Sequence, residues 1–337
     1  MGNDNSDHLA TRVLASEGVR SLLTENALLK LCEKFGWAAV NGALYSDPAT
    51  GKSRELDVVA ERRWIRKGPD RLLHVYVLVE CKSLSGYHLV FPRVEASKLR
   101  IQPYIAWLEE LEPHRMQFFR ELSTELDEKV ANELCDKSVD YLLSLVWDNG
   151  PLSESDLSPI RARNVATTFR ETNTKTDKEM DSSVIWKALS SLNSAISALT
   201  TMEIADAVKF SAIFLKLQVS SGTDSATAVK GALDLGVSER SVYHPILVVE
   251  APIWTLEHDQ LVPAEHVRLV QQRAARGAIG WIDIVAATYA ETFLRNVTTH
   301  YRRLLKKAGA FPLRKGQRVT MLSIEFPDLS PEAGARG

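Results

Sequence analysis

The chain has little of what marks the specialised protein classes. Its three cysteines, Cys32, Cys81 and Cys135, are odd in number and widely spaced, with no CxxC pair. That argues against a disulfide framework and a zinc site, and suits a reducing cytosol. No apolar run approaches the roughly 18–20 residues that cross a bilayer, so no membrane partner is expected. The opening MGNDNSDHLA has neither the basic nor the apolar region of a signal peptide, and a cytoplasmic location is the expectation. It does match the loose Met-Gly-x-x-x-Ser myristoylation pattern, which is short enough to match often by accident. Charge of one sign is also missing: 41 Lys and Arg face 43 Asp and Glu, for a formal net charge of -2. Any case for nucleic-acid binding must therefore come from local charge. There is no HExxH, no G-x-S-x-G elbow and no GxGxxG, so zinc-protease, serine-hydrolase and dinucleotide chemistry have no support. Internal repeats and coiled-coil heptads are absent too.

What is present is an ordinary globular composition, 45% hydrophobic and 25% charged over 337 residues. That length suits one large domain or two ordinary ones with a sizeable core. Val19, Leu22, Leu23, Leu28, Leu29 and Leu31 recur at helical spacing over 15–34, and Gly36 stops the run. Residues 37–46, 54–64 and 72–82 read as strands separated by turns at 47–52 and 66–70. The loop SLSGYH follows, then a helix over 94–111 interrupted near Pro103. Helices are expected over 114–149 and 184–218, with an exposed, mobile polar stretch near 151–183 between them and a loop at 220–227. Strand character returns at 244–257, 266–274 and 280–290, and a last helix covers 291–309.

The simplest architecture is one α/β core whose later strands return after a long helical insertion. Its first part is 1–111, the insertion 112–243, and the completing strands and basic helix 244–337. A separate helical domain between two small α/β pieces is the alternative, and later strands joining the first sheet would favour the single core.

The stretch DPATGKSRELDVVA, 47–60, presents two motifs at once. Gly51-Lys52-Ser53 is the tail of a phosphate-binding P-loop, but Ser46 stands where its first glycine belongs, and a strand rather than a helix follows Lys52. It reads as turn chemistry. The second half gives a geometric test. If the turn between the second and third strands is centred between Gly68 and Pro69, Asp57 falls opposite Glu80 and Glu55 opposite Lys82. Because side chains alternate faces along a strand, all four would meet on one side of the hairpin unless a bulge shifts the register. Two opposed carboxylates repel unless a cation sits between them. Hard oxygen donors suit Mg²⁺ or Mn²⁺, and a buried Lys82, its pKa lowered beside a metal, would hold or deprotonate a water. The alternative is a salt-bridged surface hairpin, with Glu55 to Lys82 as one pair. Geometry alone leaves both open.

Asp57 on one strand, and an apolar strand ending Glu80-Cys81-Lys82, resemble the PD-(D/E)xK nuclease superfamily. The resemblance covers about 15–111, and the later strands only loosely. Leu56 stands where the name-giving Pro would, a common departure. It implies a restriction-endonuclease-like mixed-sheet core flanked by helices and carrying the helical insertion. It also implies Mg²⁺- or Mn²⁺-dependent endonuclease hydrolysis of DNA phosphodiesters, with RNA left open. Asp57, Glu80 and the Cys81 backbone carbonyl would bind the metal, and Lys82 would orient the attacking water. Many members carry a Glu on the first helix; Glu25 fits that place better than Glu33 and would complete the metal shell. The arrangement is most similar to Mrr-like and other bacterial defence nucleases, which implies an antiviral or restriction role with a homodimer or a defence-system protein as partner. A non-catalytic nuclease-like module that binds nucleic acid or protein is the second reading, and a helical scaffold with a merely salt-bridged hairpin the third.

Three further features complete the sequence. LVVEAP at 247–252 echoes VLVECK at 77–82, but Pro252 stands in place of a lysine, so Glu250 reads as a strand-end residue. His74 is expected to pack on the same strand face as Glu80. Finally, 292–320 carries Arg295, Arg302, Arg303, Lys306, Lys307, Arg314, Lys315 and Arg318 with no Asp or Glu. Cations are favoured near a helix C-terminus, yet eight without an acid exceed that need, and phosphate-backbone contact is expected of them. Tyr301 and His300 would lie beside that face, with Arg93, Lys98 and Arg100 as weaker candidates for the same contact.

Overall fold

The computed structural model describes residues 11–66, 71–84, 86–95, 104–105, 118–147, 162–173, 184–236, 239–272, 279–307 and 310–312. The first elements follow one another directly: α1 (Glu17–Lys34), β1 (Ala38–Ser46), β2 (Ser53–Arg66) and β3 (Arg71–Ser83). Gly36 ends α1 at φ 83, a conformation that favours glycine. The DPATGK turn is closed by Asp47, whose Oδ1 accepts the Ala49 N–H at 2.9 Å and whose carbonyl accepts the Gly51 N–H at 2.7 Å. Ser53 then opens a strand, so the GKS tripeptide heads no helix.

Downstream come β4 (Tyr87–Pro92), β5 (Tyr104–Ile105), α2 (Glu128–Trp147), β6 (Val165–Ala166) and β7 (Arg170–Asn173). They are followed by α3 (Val184–Ser220), α4 (Ser225–Gly236), β8 (Glu239–Glu250), β9 (Ile253–Glu257) and β10 (Gln260–Ala264). The last are β11 (His266–Gln272), β12 (Ile279–Ala286), α5 (Ala290–Lys307) and β13 (Ala310–Pro312). One mixed sheet runs β1-β2-β3-β8-β12-β11-β6, with β13 against β2 and β5 against β8. β3, β8 and β12 are parallel; β1, β2 and β3 are antiparallel neighbours. Of the strands from residue 239 onward, β8, β11, β12 and β13 thus join the sheet built by the first three. A second sheet runs β10-β9-β4-β7.

The alternation of β3 divides its side chains between two cores. Val75, Val77, Val79 and Cys81 pack under α1 and α5, with Leu28, Cys32, Phe293, Val297 and Tyr301. Leu78 and Tyr76 face the other way, where α3 lays Ile185, Leu189 and Leu192 against Leu247 and Ile284 and against Leu89 and Phe91 of the second sheet. The far half of α3 belongs to a third core, Ala212 and Leu215 packing with Leu122, Leu134 and Ala228.

Asp283 of β12 pins the middle of the large sheet. It is fully buried, takes both Arg268 Nε at 2.9 Å and Nη2 at 2.7 Å, and pairs with His244 Nε2 at 3.0 Å and His266 Nε2 at 2.8 Å. Tyr301 of α5 closes the network 3.0 Å from His244 Nδ1, and Arg268 stacks over Trp281. A buried carboxylate survives only with such compensation.

Three expectations are corrected. Residues 244–257 are not one strand: the chain breaks at Ala251–Pro252, where the proline cannot donate to the ladder, and β8 and β9 enter different sheets. Within the helix expected over 94–111, Tyr104–Ile105 form β5 against β8; residues 96–103 and 106–111 lie outside the described residues. The polar stretch near 151–183 is woven into both sheets where it is described, β6 beside β11 and β7 beside β4. Val165, Ala166, Phe169 and Glu171 are buried there, and Glu171 Oε1 accepts the Ile185 N–H at 3.3 Å, satisfying an orphan donor at the start of α3. No described helix is long and apolar enough to cross a membrane.

Candidate active site at the β2–β3 hairpin

β2 and β3 pair in the register expected from the sequence, from Arg66↔Arg71 to Val58↔Val79. The ladder stops one pair short of Asp57. At that point β1 and β2 both break their alternation. Tyr45 and Leu56 pack on the α3 side of the sheet, whereas Ala39, Val58 and Ala60 pack on the α1 side. Residues two apart share a face on a regular strand, so the inversion falls at the position flanked by the pairs Asn41↔Val58 and Ala43↔Leu56. Its occupants are Gly42, at φ 65, and Asp57. A Cβ on Gly42 would stand 2.9 Å from Glu55 Oε1. The positive φ is what favours glycine there, since the Glu55 carboxylate is the far end of a flexible side chain.

The inversion decides where each acid goes. Asp57 turns its carboxylate along β3, Oδ2 accepting the Cys81 N–H at 2.6 Å and lying 3.5 Å from Lys82 Nζ. Lys82 Nζ also donates to Glu80 Oε2 at 2.8 Å, so one ammonium bridges two carboxylates. Glu55 does not share this arrangement: past the inversion its carboxylate lies against Gly42 rather than with Lys82, correcting the four-on-one-face expectation. It adds to the negative field at Glu25 instead.

α1 supplies the next wall. Its face carries Arg20, Ser21, Thr24, Glu25 and Leu28, one and two turns apart. Ser21 Oγ donates to the Cys81 carbonyl at 3.1 Å, so that oxygen is already an acceptor within the protein. Glu25, half-buried beside it, is pushed up from the ordinary carboxylate range by burial and by the charge of Asp57. Glu80 is pushed up by burial, with Asp57 adding to it and Lys82 opposing. Lys82 is raised from its ordinary value. Burial alone would lower it, but its two carboxylate neighbours, Glu80 and Asp57, raise it, which favours the ammonium form.

α3 supplies a partner that the sequence did not suggest. Ser191 Oγ donates to Glu80 Oε1 at 2.8 Å, and Tyr45 OH donates to the Ser191 carbonyl at 3.0 Å and lies 3.1 Å from its hydroxyl. No motif flags either residue; only the packing of α3 over β1 and β3 brings them in.

Glu250 ends β8 beside Ser83 in the parallel register. It accepts from Ser83 at 2.9 Å and Thr24 at 2.6 Å and pairs with Arg20 at 2.7 Å, holding α1 to the strand ends. Cys81 is buried, its thiol pushed up by burial, and its side chain is structural. His74 is buried and lies against Glu61.

The C-terminal cations divide. Arg295 pairs with Glu291 at 2.9 Å, and Arg302 Nη2 donates to the Phe35 carbonyl at 3.4 Å, beside Arg62, which donates to the same oxygen at 3.1 Å. These two cap the end of α1. Arg303 and Lys306 are exposed on α5. Tyr301 does not lie on that face; it is buried against His244. Lys307 lies at the last position of α5, and its side chain is outside the description, as are Arg314, Lys315 and Arg318. Arg93 pairs with Glu257 at 2.6 Å, and Lys98 and Arg100 fall outside the described residues.

Among the described residues no three His, Cys, Asp or Glu side chains form a ready metal centre. The donor chemistry nevertheless suits a hard divalent cation. Asp57 and Glu80 share one ammonium, Glu25 lies within the field of Asp57 and Lys82, and both glutamates are pushed up by burial together with the charge of Asp57. Added positive charge would relieve that excess. No protein-family model, curated protein or solved structure gives a significant match to this chain.

Proposed function

We propose that the chain is a metal-dependent endonuclease of the PD-(D/E)xK type that hydrolyses DNA phosphodiester bonds. The observation that carries the reading is the bridge by Lys82 between Asp57 and a buried Glu80, at the point where β2 leaves β3. A salt-bridged surface hairpin has no reason to bury one of its acids, since an exposed pair stabilises as much at less desolvation cost.

In this reading residues 1–111 and 244–337 form a restriction-endonuclease-like core around the large sheet, and 112–243 are an insertion. Asp57, Glu80 and the Cys81 carbonyl would hold Mg²⁺ or Mn²⁺, with Glu25 completing the set directly or through water. The metal supplies Lewis-acid polarisation of the scissile phosphate and neutralises its developing charge. The remaining work belongs to the chain. Lys82 holds the attacking water with its ammonium; Ser21 fixes the Cys81 carbonyl; the Asp57–Cys81 bond keeps Asp57 aimed along β3. Arg303 and Lys306 contact the phosphate backbone without reading sequence, and the same role is proposed for Lys307, Arg314, Lys315 and Arg318. A role in bacterial antiviral or restriction defence, in the cytoplasm and with a second copy or a defence protein as partner, is an analogy to Mrr-like nucleases.

The test is cleavage of duplex DNA, single-stranded DNA and RNA with Mg²⁺ or Mn²⁺. Cleavage that EDTA abolishes and either metal restores supports the reading. One observation favours a non-catalytic module instead: Lys82 already pairs with both Asp57 and Glu80. Binding of nucleic acid with no cleavage of any of the three substrates would establish that alternative.

A further inference from the structure

We infer that Ser191, held by Tyr45, is the positioning residue for Glu80, so that α3 is part of the active site rather than an appendage to it. The inference deepens the nuclease reading and rests on it. A carboxylate that ligates a cation must present one oxygen at a fixed angle, and its other oxygen must be held. Glu80 has this division of labour. Its Oε2 takes Lys82 at 2.8 Å, and its Oε1 takes the Ser191 hydroxyl at 2.8 Å. A serine hydroxyl rotates freely unless a second group fixes it. Tyr45 OH is placed to do so. With the Ser191 proton given to Glu80, the single Tyr45 proton goes either to the Ser191 hydroxyl at 3.1 Å or to the carbonyl of the same residue at 3.0 Å, and either bond ties Tyr45 to Ser191.

The three residues come from elements far apart in the chain: Tyr45 from β1, Glu80 from β3 and Ser191 from α3. Ile185, Ala188, Leu189 and Leu192 bury the same helix face in the core beneath the sheet, which locks Ser191 in rotation and height. Buried at 9% exposure, Tyr45 is the polar tip of that core, and its hydroxyl points at the one hydroxyl of α3 that reaches Glu80. Ser191 gives its hydroxyl proton to Glu80 rather than, as Ser and Thr inside helices commonly do, to its own helix carbonyl.

Removing an outer partner of a metal ligand costs about 10–100-fold in metal affinity or activity. The experiment compares the full-length wild type with Ser191→Ala, Ser191→Thr and Tyr45→Phe. Mn²⁺ binding is read by electron paramagnetic resonance without substrate, and plasmid cleavage is read as kcat and KM separately. Ser191→Ala is expected to bind Mn²⁺ about tenfold more weakly and to lose a similar factor in kcat, with KM for DNA unmoved because Ser191 touches no substrate. Ser191→Thr restores the hydroxyl and both quantities; Tyr45→Phe gives a smaller loss of the same kind. A metal-free arm tests the contact alone: denaturant unfolding of Ser191→Ala, Glu80→Gln and the double variant, whose midpoint shifts are expected not to add.

Additive shifts with unchanged Mn²⁺ affinity would overturn the inference whether or not the protein cleaves DNA. Non-additive shifts and weakened Mn²⁺ binding, in a wild type that cleaves nothing, would uphold the Ser191–Glu80 relationship and remove the nuclease reading instead.

Discussion

Asp57 stands in for a strand carbonyl: its Oδ2 accepts the Cys81 N–H at 2.6 Å, one residue beyond the last β2–β3 pair. A side chain thus carries the hairpin past the end of its ladder, and the same carboxylate is aimed at Lys82. The two roles separate by substitution. Asp57→Ala leaves a part-buried N–H without its acceptor and is expected to lose about 1–3 kcal/mol of stability. Asp57→Asn keeps an acceptor oxygen and is expected to unfold near the wild-type denaturant midpoint. Both should lose cleavage, because neither keeps the charge.

Gly42 faces the same irregularity from β1. Gly42→Ala is expected to cost about 1–2 kcal/mol, the penalty of a left-handed conformation for an L side chain. The Glu55 carboxylate, 2.9 Å from the new Cβ, is the end of a flexible side chain and can move aside. The φ of 65 cannot be relieved in that way. Thermal unfolding checks the cost, and Glu55→Ala in the same background should recover little of it.

Much of this hairpin was legible in the sequence, and the reason is local. LLHVYVLVECK is rich in β-formers, a turn expected at Gly68-Pro69 predicts one register, and that register holds from Arg66↔Arg71 to Val58↔Val79. Strict alternation hid the inversion at Gly42 and Asp57, because a positive φ at an interior glycine leaves no mark in hydrophobic periodicity. Ser191 and Tyr45 were beyond reach for another reason: their pairing depends on how a helix 146 residues away packs on the sheet. The strands β6 and β7 were also hidden. Their two- and four-residue lengths, within polar surroundings, carry too little pattern to stand out. The two carboxylates that raise Lys82 against burial follow from the contacts of its ammonium, which the strand pattern alone does not give.

Acid should weaken the sheet through the Asp283 network before it reaches the site. Burial lowers His244 from its ordinary value, with Asp283 only partly opposing, so the folded state keeps this ring neutral. Its stabilisation is present above about pH 6.5 and is lost as the pH falls, because the unfolded chain takes up the proton first. Asp283 is held well below the usual range: burial would raise it, but Arg268 and then His266 outweigh burial. Its contribution persists above about pH 4 and fades below. The denaturant midpoint is therefore expected to fall between pH 7 and pH 5, and to fall again below pH 4. Asp283→Ala strands Arg268 in the core and should cost about 3–5 kcal/mol.

The exposed cations of α5 should act on affinity and not on folding. Arg303→Ala with Lys306→Ala is expected to weaken duplex binding equally for unrelated sequences and to reduce the slope of log affinity against log salt by about 1 for each contact removed. The melting temperature should stay near that of the wild type. Arg302→Ala differs, since it also removes a donor from the Phe35 carbonyl at the end of α1 and should lower stability slightly. Fluorescence anisotropy at several salt concentrations separates the two.

Nicking of supercoiled plasmid DNA in Mg²⁺ by the wild type, Asp57→Ala and Lys82→Ala, each verified as folded, tests the central claim most directly. The account requires nicking by the wild type and a loss of at least about a hundredfold in each variant, or roughly 3 kcal/mol of transition-state stabilisation. Nicking that survives both substitutions would contradict it.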